Sequence, residues 1–199
     1  MASESPRRQE FFRLLGLPFV CIPSGADESF DQRLDPKAVA EELAVRKIKK
    51  ILETRAGDTA PWICGADTLI HLNGKIYGKP RDRVDAERML LDFQGKTHEV
   101  ICAIALYNSQ KKTYDCRSVA SAITFAPVSQ GEIDWYLDCG EWQDAAGAYK
   151  IQGKASCFIT GIHGSYSAVV GLPLREFYAM LRDNGYQYGC REVLAEPKL

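Results

Sequence analysis

The chain has 199 residues, 46% apolar and 26% charged, enough for one substantial core in an ordinary globular protein. Its 25 basic and 26 acidic residues leave a formal net charge of −1. That balance gives no global field to draw a polyanion, so a dedicated nucleic-acid or membrane-surface binder is not expected, and any phosphate site must be local.

The first predicted element is a helix in "ESPRRQEFFRLLG", with Ser5 as N-cap, Pro6 at the first helical position and Gly16 as stop. "PFVCIP" reads as a short strand. The polar loop "SGADESFDQRLD" leads to a long helix opened by Asp35-Pro36, with Val39, Leu43, Ile48, Ile51 and Leu52 mostly on one side. "WICGADTLIHLNGKIYG" reads as a buried strand and a hairpin turned at Asn73-Gly74, residues that accept a positive φ. Asp82 caps a helix ending at Gly95. "THEVICAIALYN" and "YDCRSVASAITFAPV" are two longer strands joined by "SQKKT". Ser129 opens a helix through Leu137, "ASCFITGIHGS" is a further strand, and "LPLREFYAMLRDNG" is a last helix with Pro173 at its start. The tail "CREVLAEPKL" is expected to fray.

Strands mixed with helices, without repeat or linker, predict a single α/β unit over residues 1–199. Seven scattered cysteines, odd in number and without a C-x-x-C pair, read as free thiols of a reducing cytoplasm. No apolar run reaches the roughly 18 residues of a membrane span.

Candidate chemistry is modest residue by residue. "SPRR" places Arg7 and Arg8 in a first helical turn, where the dipole disfavours cations unless an anion binds; a phosphate cradle and two solvated arginines are both open readings. Asp67 is read as ending an apolar strand, either as a ligand group or as a cap for the turn that follows. Lys79 has its backbone restricted by Gly78 and Pro80. Glu28 and Lys47 look like solvated charges. His71, His98 and His163 share no metal-binding spacing, and His98 reads as a strand residue with a satisfied ring. "AAGAYKIQG" joins a helix to a strand through small residues around Tyr149 and Gln152. There is no G-x-S-x-G elbow and no G-x-x-x-x-G-K-[ST] loop.

The order of these segments is more telling than any one of them. "ASESPRRQEFF", "DES", "LAVRK", "GADTLIHLNGKIYGKP", "GKTHEV", "AGAYKIQG" and "GSYSAVVGLPL" together resemble the Maf family from Ala2 to about Leu181. The resemblance implies an elongated mixed β-sheet with flanking helices and two lobes around a cleft, as in Maf and ITPase-like folds. It implies a nucleoside triphosphate pyrophosphatase that uses a divalent cation, Mg²⁺ or Mn²⁺, and works as a homodimer. By position, Ser5, Arg7 and Arg8 match the triphosphate site, and Glu28, Lys47, Asp67 and Lys79 match the charged cleft residues. Asp67 falls at the family's proton acceptor, and Asp67 with Glu28 would hold the metal. Arg7, Thr68 and Gln152 match positions associated with substrate choice, and the pattern resembles the branch acting on dTTP and UTP. A sister branch acting on 7-methyl-GTP carries Glu in place of Gln152. A non-catalytic nucleotide-binding regulator of cell division is the rival reading, against which the intact carboxylates and lysines count. Met1 stands where the family has a Leu preceded by apolar residues, so the first strand is expected to be nearly absent.

Overall fold

The computed structural model describes residues 1–54 and 60–187. Among these residues six α-helices, α1 Pro6–Leu14, α2 Pro36–Thr54, α3 Arg83–Phe93, α4 Gln130–Asp138, α5 Tyr166–Val170 and α6 Leu174–Asp183, flank one five-stranded sheet. Its strands are β1 Trp62–Leu72, β2 Lys75–Tyr77, β3 Thr97–Asn108, β4 Thr113–Phe125 and β5 Ile159–His163, in the order β2-β1-β3-β4-β5. The expected α/β class is borne out. The sheet is antiparallel at every pairing among the described residues, rather than mixed; short turns join two of its four neighbouring pairs, β1 with β2 and β3 with β4.

Local signals set most boundaries. Asn73 and Gly74 take φ of 50° and 77° and turn β1 into β2. The Asp82 carboxylate accepts from the Asp85 N–H at the start of α3, and Ser129 with Glu132 forms a capping box on α4. Ser5 precedes Pro6 as expected, but its hydroxyl makes no capping bond to α1.

Three expectations are corrected. "PFVCIP" is not a strand: Met1 accepts from Ile22 N and donates to Val20 O, while Ala2 N bonds Cys64 O. Two residues are too few to nucleate a ladder, yet they do seat the chain start against β1. The segment 154–158 is a 3₁₀ turn, so β5 begins only at Ile159. Asp67 does not end a strand: β1 runs on to Leu72, and Asp67 lies in mid-strand opposite Ala103. The fraying expected of "CREVLAEPKL" lies outside the described residues.

The apolar side chains form three clusters. Ile63 and Leu69 of β1 pack with Val39, Leu43 and Ile48 of α2 on one face of the sheet. Cys64 and Ala66 point to the other face, against Phe12 of α1 and Phe177 and Met180 of α6. Ile70 and Leu72 belong to a third cluster with Phe93, Phe125, Tyr136 and Tyr149 under α3 and α4. These make two lobes along one sheet. Between Cys64, bonded by Ala2, and Ile70, where β2 begins to pair, no strand covers that side of β1 among the described residues.

Candidate active site

A cleft of about 810 Å³ opens at that uncovered stretch. Its walls include Leu43 and Leu69 of one lobe and Met89, Tyr149 and Ile151 of the other. All nine residues singled out from the sequence line it: Ser5, Arg7, Arg8, Glu28, Lys47, Asp67, Thr68, Lys79 and Gln152. Eight Lys or Arg and five Asp or Glu residues line it altogether, so a chain of net charge −1 has concentrated positive charge in one place.

At the acidic end, Lys47 Nζ lies 2.8 Å from Glu28 Oε1 and also contacts Asp67 Oδ1. Lys47 and Asp67 are both buried, whereas Glu28 is half-exposed. Burial pushes the Glu28 carboxyl up, but the Lys47 hydrogen bond and charge, with Lys79 and Arg8 behind them, outweigh it and hold the group below the usual range. The geometry rests on Gly65. A Cβ there would stand 2.3 Å from the Ala44 carbonyl oxygen, so only glycine lets α2 lie this close to β1. Lys47 is one turn beyond Ala44, and Asp67 is two residues beyond Gly65 on the same strand face. The close approach therefore delivers the ammonium to the carboxylate.

Thr68 points to the opposite face from Asp67 and meets α1. Arg8, though buried, has three neutral acceptors: Nε donates to Gly171 O at 2.8 Å, and the terminal nitrogens to Ser3 Oγ and Thr68 Oγ1 at 3.2 Å each. No carboxylate among the described residues pairs with it. A buried guanidinium held by dipoles alone is arranged to receive an anion. Arg7 donates to Asp144 O at 3.3 Å, and burial, followed by the like charge of Arg8, pushes its guanidinium below the arginine range. Lys79 is exposed and makes no hydrogen bond or ion pair with a described residue. Gln152 is exposed on the far wall, its side chain free for a ligand.

The structure thus joins both readings of "SPRR": Arg8 is buried and oriented, while Arg7 stays partly solvated at the rim. Lys47, which looked like a solvated charge, is buried. Sequence reasoning missed Ser3, Gly171 and Asp144, which hold the arginines mainly through oxygen atoms that no motif marks. It also missed Lys75, Arg81, Arg88 and Lys150, which add to the positive wall. Their clustering on either side of "YGKP" and in "AYKIQG" was the available signal.

The donor set suits a hard divalent cation. Glu28 and Asp67 converge on one lysine nitrogen, and no group of three or more His, Cys, Asp or Glu could hold a metal among the described residues. Two carboxylates facing a cleft fit Mg²⁺, which keeps waters and takes phosphate oxygens, and not a closed zinc site.

Residues 1–184 match the family described as Maf-like protein. The chain is 39% identical over 186 residues to the dTTP/UTP pyrophosphatase of Symbiobacterium thermophilum, covering 94% of this chain and 93% of that one. It is 38% identical over 187 residues to that of Hydrogenovibrio crunogenus, covering 94% and 95%. It is 43% identical over 183 residues to that of Shigella sonnei, covering 91% and 90%. With this match across nearly its whole length, the chain belongs to the Maf-like protein family.

Proposed function

We propose that this chain is a nucleoside triphosphate pyrophosphatase that hydrolyses dTTP and UTP to the nucleoside monophosphate and pyrophosphate. The observation that carries this is the Glu28–Lys47–Asp67 cluster at the head of a cleft that also presents Arg8 and Lys79, neither paired with a carboxylate among the described residues. The names of the relatives supply the substrate class.

Attack on an α-phosphorus needs a water stripped of a proton, charge neutralised along the triphosphate, and a stabilised leaving group. Asp67 is the carboxylate placed to take the proton, because burial and the Lys47 contact fix its orientation. Arg8 holds a phosphate from within the cleft, while Arg7 and Lys79 close on it from the solvent side. These cations supply the electrostatic stabilisation that dominates phosphoryl-type transfer. Ser5 stands beside Ser3, whose hydroxyl accepts from Ser5 N at 3.2 Å and from Arg8, so the start of α1 and the arginine are held as one unit. Glu28 and Asp67 would hold Mg²⁺ or Mn²⁺, which when bound supplies positive charge at the phosphate oxygens. Thr68 acts through Arg8, as an acceptor for its guanidinium. Gln152 reads the base: a carboxamide offers one acceptor and one donor, which match the ring N–H and a carbonyl of uracil or thymine.

The proposal extends to a cytoplasmic homodimer without a nucleic-acid partner, to be tested by sedimentation. No helix among the described residues is long and apolar enough to cross a membrane. The direct experiment is pyrophosphate release from UTP, dTTP, CTP, GTP and 7-methyl-GTP with Mg²⁺ or Mn²⁺. UTP and dTTP should lead. Absence of pyrophosphate from every nucleotide would overturn the assignment, and 7-methyl-GTP in first place would move the chain to the sister branch.

A further inference from the structure

The segment 144–152 carries the wall of the cleft that ends at Gln152, and its backbone is unusual. Asp144, Gly147 and Ala148 take φ of 56°, 66° and 62°, left-handed values that cost a non-glycine residue strain. Such a conformation persists only where surrounding contacts determine it. Three contacts do so here. Gly147 N donates to Gly78 O at 2.9 Å, beside Lys79. Lys150 N donates to the Tyr136 hydroxyl at 3.3 Å. The Tyr149 hydroxyl lies 2.8 Å from His98 Nε2.

The last contact is the most deeply buried. His98 is 1% exposed and Tyr149 6%. The imidazole sits against Phe93 at 4.5 Å, Phe125 at 5.2 Å and Tyr149 at 5.5 Å between ring centroids. Its Nδ1 has no partner, so the ring is not the fully satisfied strand histidine the sequence suggested. Burial pushes the imidazole down to about 4, so it is neutral in the cytoplasmic range and bonds Tyr149 as one neutral group to another. A polar ring placed in an aromatic cluster costs desolvation that a phenylalanine would not. Its single hydrogen bond goes to Tyr149, which enters the core beside Ala148 and Ile151 and is the residue of the three whose side chain makes a hydrogen bond there, three positions before Gln152.

We propose that His98 and Tyr149 are positioning residues: their hydrogen bond pins the 149–152 half of the segment and so sets how sharply Gln152 discriminates among bases. This rests on the proposed reading of Gln152. The Gly147–Gly78 bond holds the 144–147 half independently, together with the Arg7 contact at Asp144, so loss of the pin leaves the phosphate end in place.

Tyr149→Phe deletes only the hydroxyl and keeps the ring that packs. Amide exchange over 149–153 should then speed up by roughly tenfold, the population cost of one ordered hydrogen bond, while β1 and α2 keep their wild-type rates. KM for UTP and dTTP should rise with little change in kcat, and their advantage over CTP and GTP should narrow. His98→Gln, which retains a donor and an acceptor, should lie closer to wild type than Tyr149→Phe on both readouts. Unchanged exchange over 149–153, equal acceleration across the sheet, an unaltered order of bases, or a His98→Gln variant worse than Tyr149→Phe would each overturn the pin. Exchange needs no substrate, so it decides the pin even where a wild type inactive on every nucleotide has overturned the functional reading.

Discussion

Replacing Lys47 with Met tests the centre of the site. Methionine keeps much of the stem and removes the ammonium, so what is lost is the charge between Glu28 and Asp67. Lys47 and Asp67 are each 7% exposed, which places this pair in the class where removing one partner leaves an uncompensated buried charge. Breaking such a pair costs about 3–5 kcal/mol, and with one of the two carboxylates half-solvated the low end, about 3 kcal/mol, applies. For a chain of this size that corresponds to a fall in Tm of about 6–12 °C. The pH dependence has a definite sign. In the native protein the Glu28 carboxyl is held below its unfolded value, so it stabilises the fold above the unfolded pKa, and that contribution is lost as pH falls through the depressed folded value. Without Lys47 the hydrogen bond and the larger of the favourable charges are gone, so burial pushes the folded value back up and the stabilisation by an ionised Glu28 shrinks. The gap between the two proteins should therefore be widest at neutral pH and narrow as pH falls toward the depressed folded value of Glu28. Thermal melts at a series of pH values measure this directly. The Lys47→Met, Asp67→Asn double variant should recover most of the lost stability, since no buried charge is then stranded. A single variant within about 1 kcal/mol of wild type at pH 7, or a double variant no better than the single, would refute the reasoning.

Asp67→Asn keeps the shape but removes the proton acceptor, so turnover should fall by roughly 10² or more while nucleotide binding measured by calorimetry survives. Near-native turnover would make Asp67 structural. Gly65→Ala should force α2 off β1, costing about 1–3 kcal/mol by denaturant titration and reducing activity beyond that loss, because Lys47 moves with the helix. Retained stability and activity would show that α2 does not need the close approach. Gln152→Glu should weaken UTP and dTTP turnover by about 1–3 kcal/mol and guanine nucleotides by less, since a carboxylate only accepts. An unchanged order of preference would remove Gln152 from the base site.

The sequence alone determined what depends on near neighbours. The Asn73-Gly74 turn, the Asp82 and Ser129 caps and the Pro6 helix start follow from backbone rules that act over a few residues, and the structure keeps each of them. The resemblance in segment order was also legible, and it named nine residues that the cleft brings together. What local chemistry could not decide was where strands stop and which charges are buried. β1 runs through Asp67 because β3 supplies partners from His71 to Trp62, a pairing set by a segment some 35 residues on. Lys47 reads as a surface charge on an amphipathic helix, and only the packing of α2 onto Gly65 makes it the buried cation of the site. Arg8 is oriented by Thr68 and by the carbonyl of Gly171, 60 and 163 residues away in the chain. A backbone carbonyl carries no side-chain signature, and a buried charge is defined by what packs over it. Both are properties of the assembled fold and take their values only when distant segments meet.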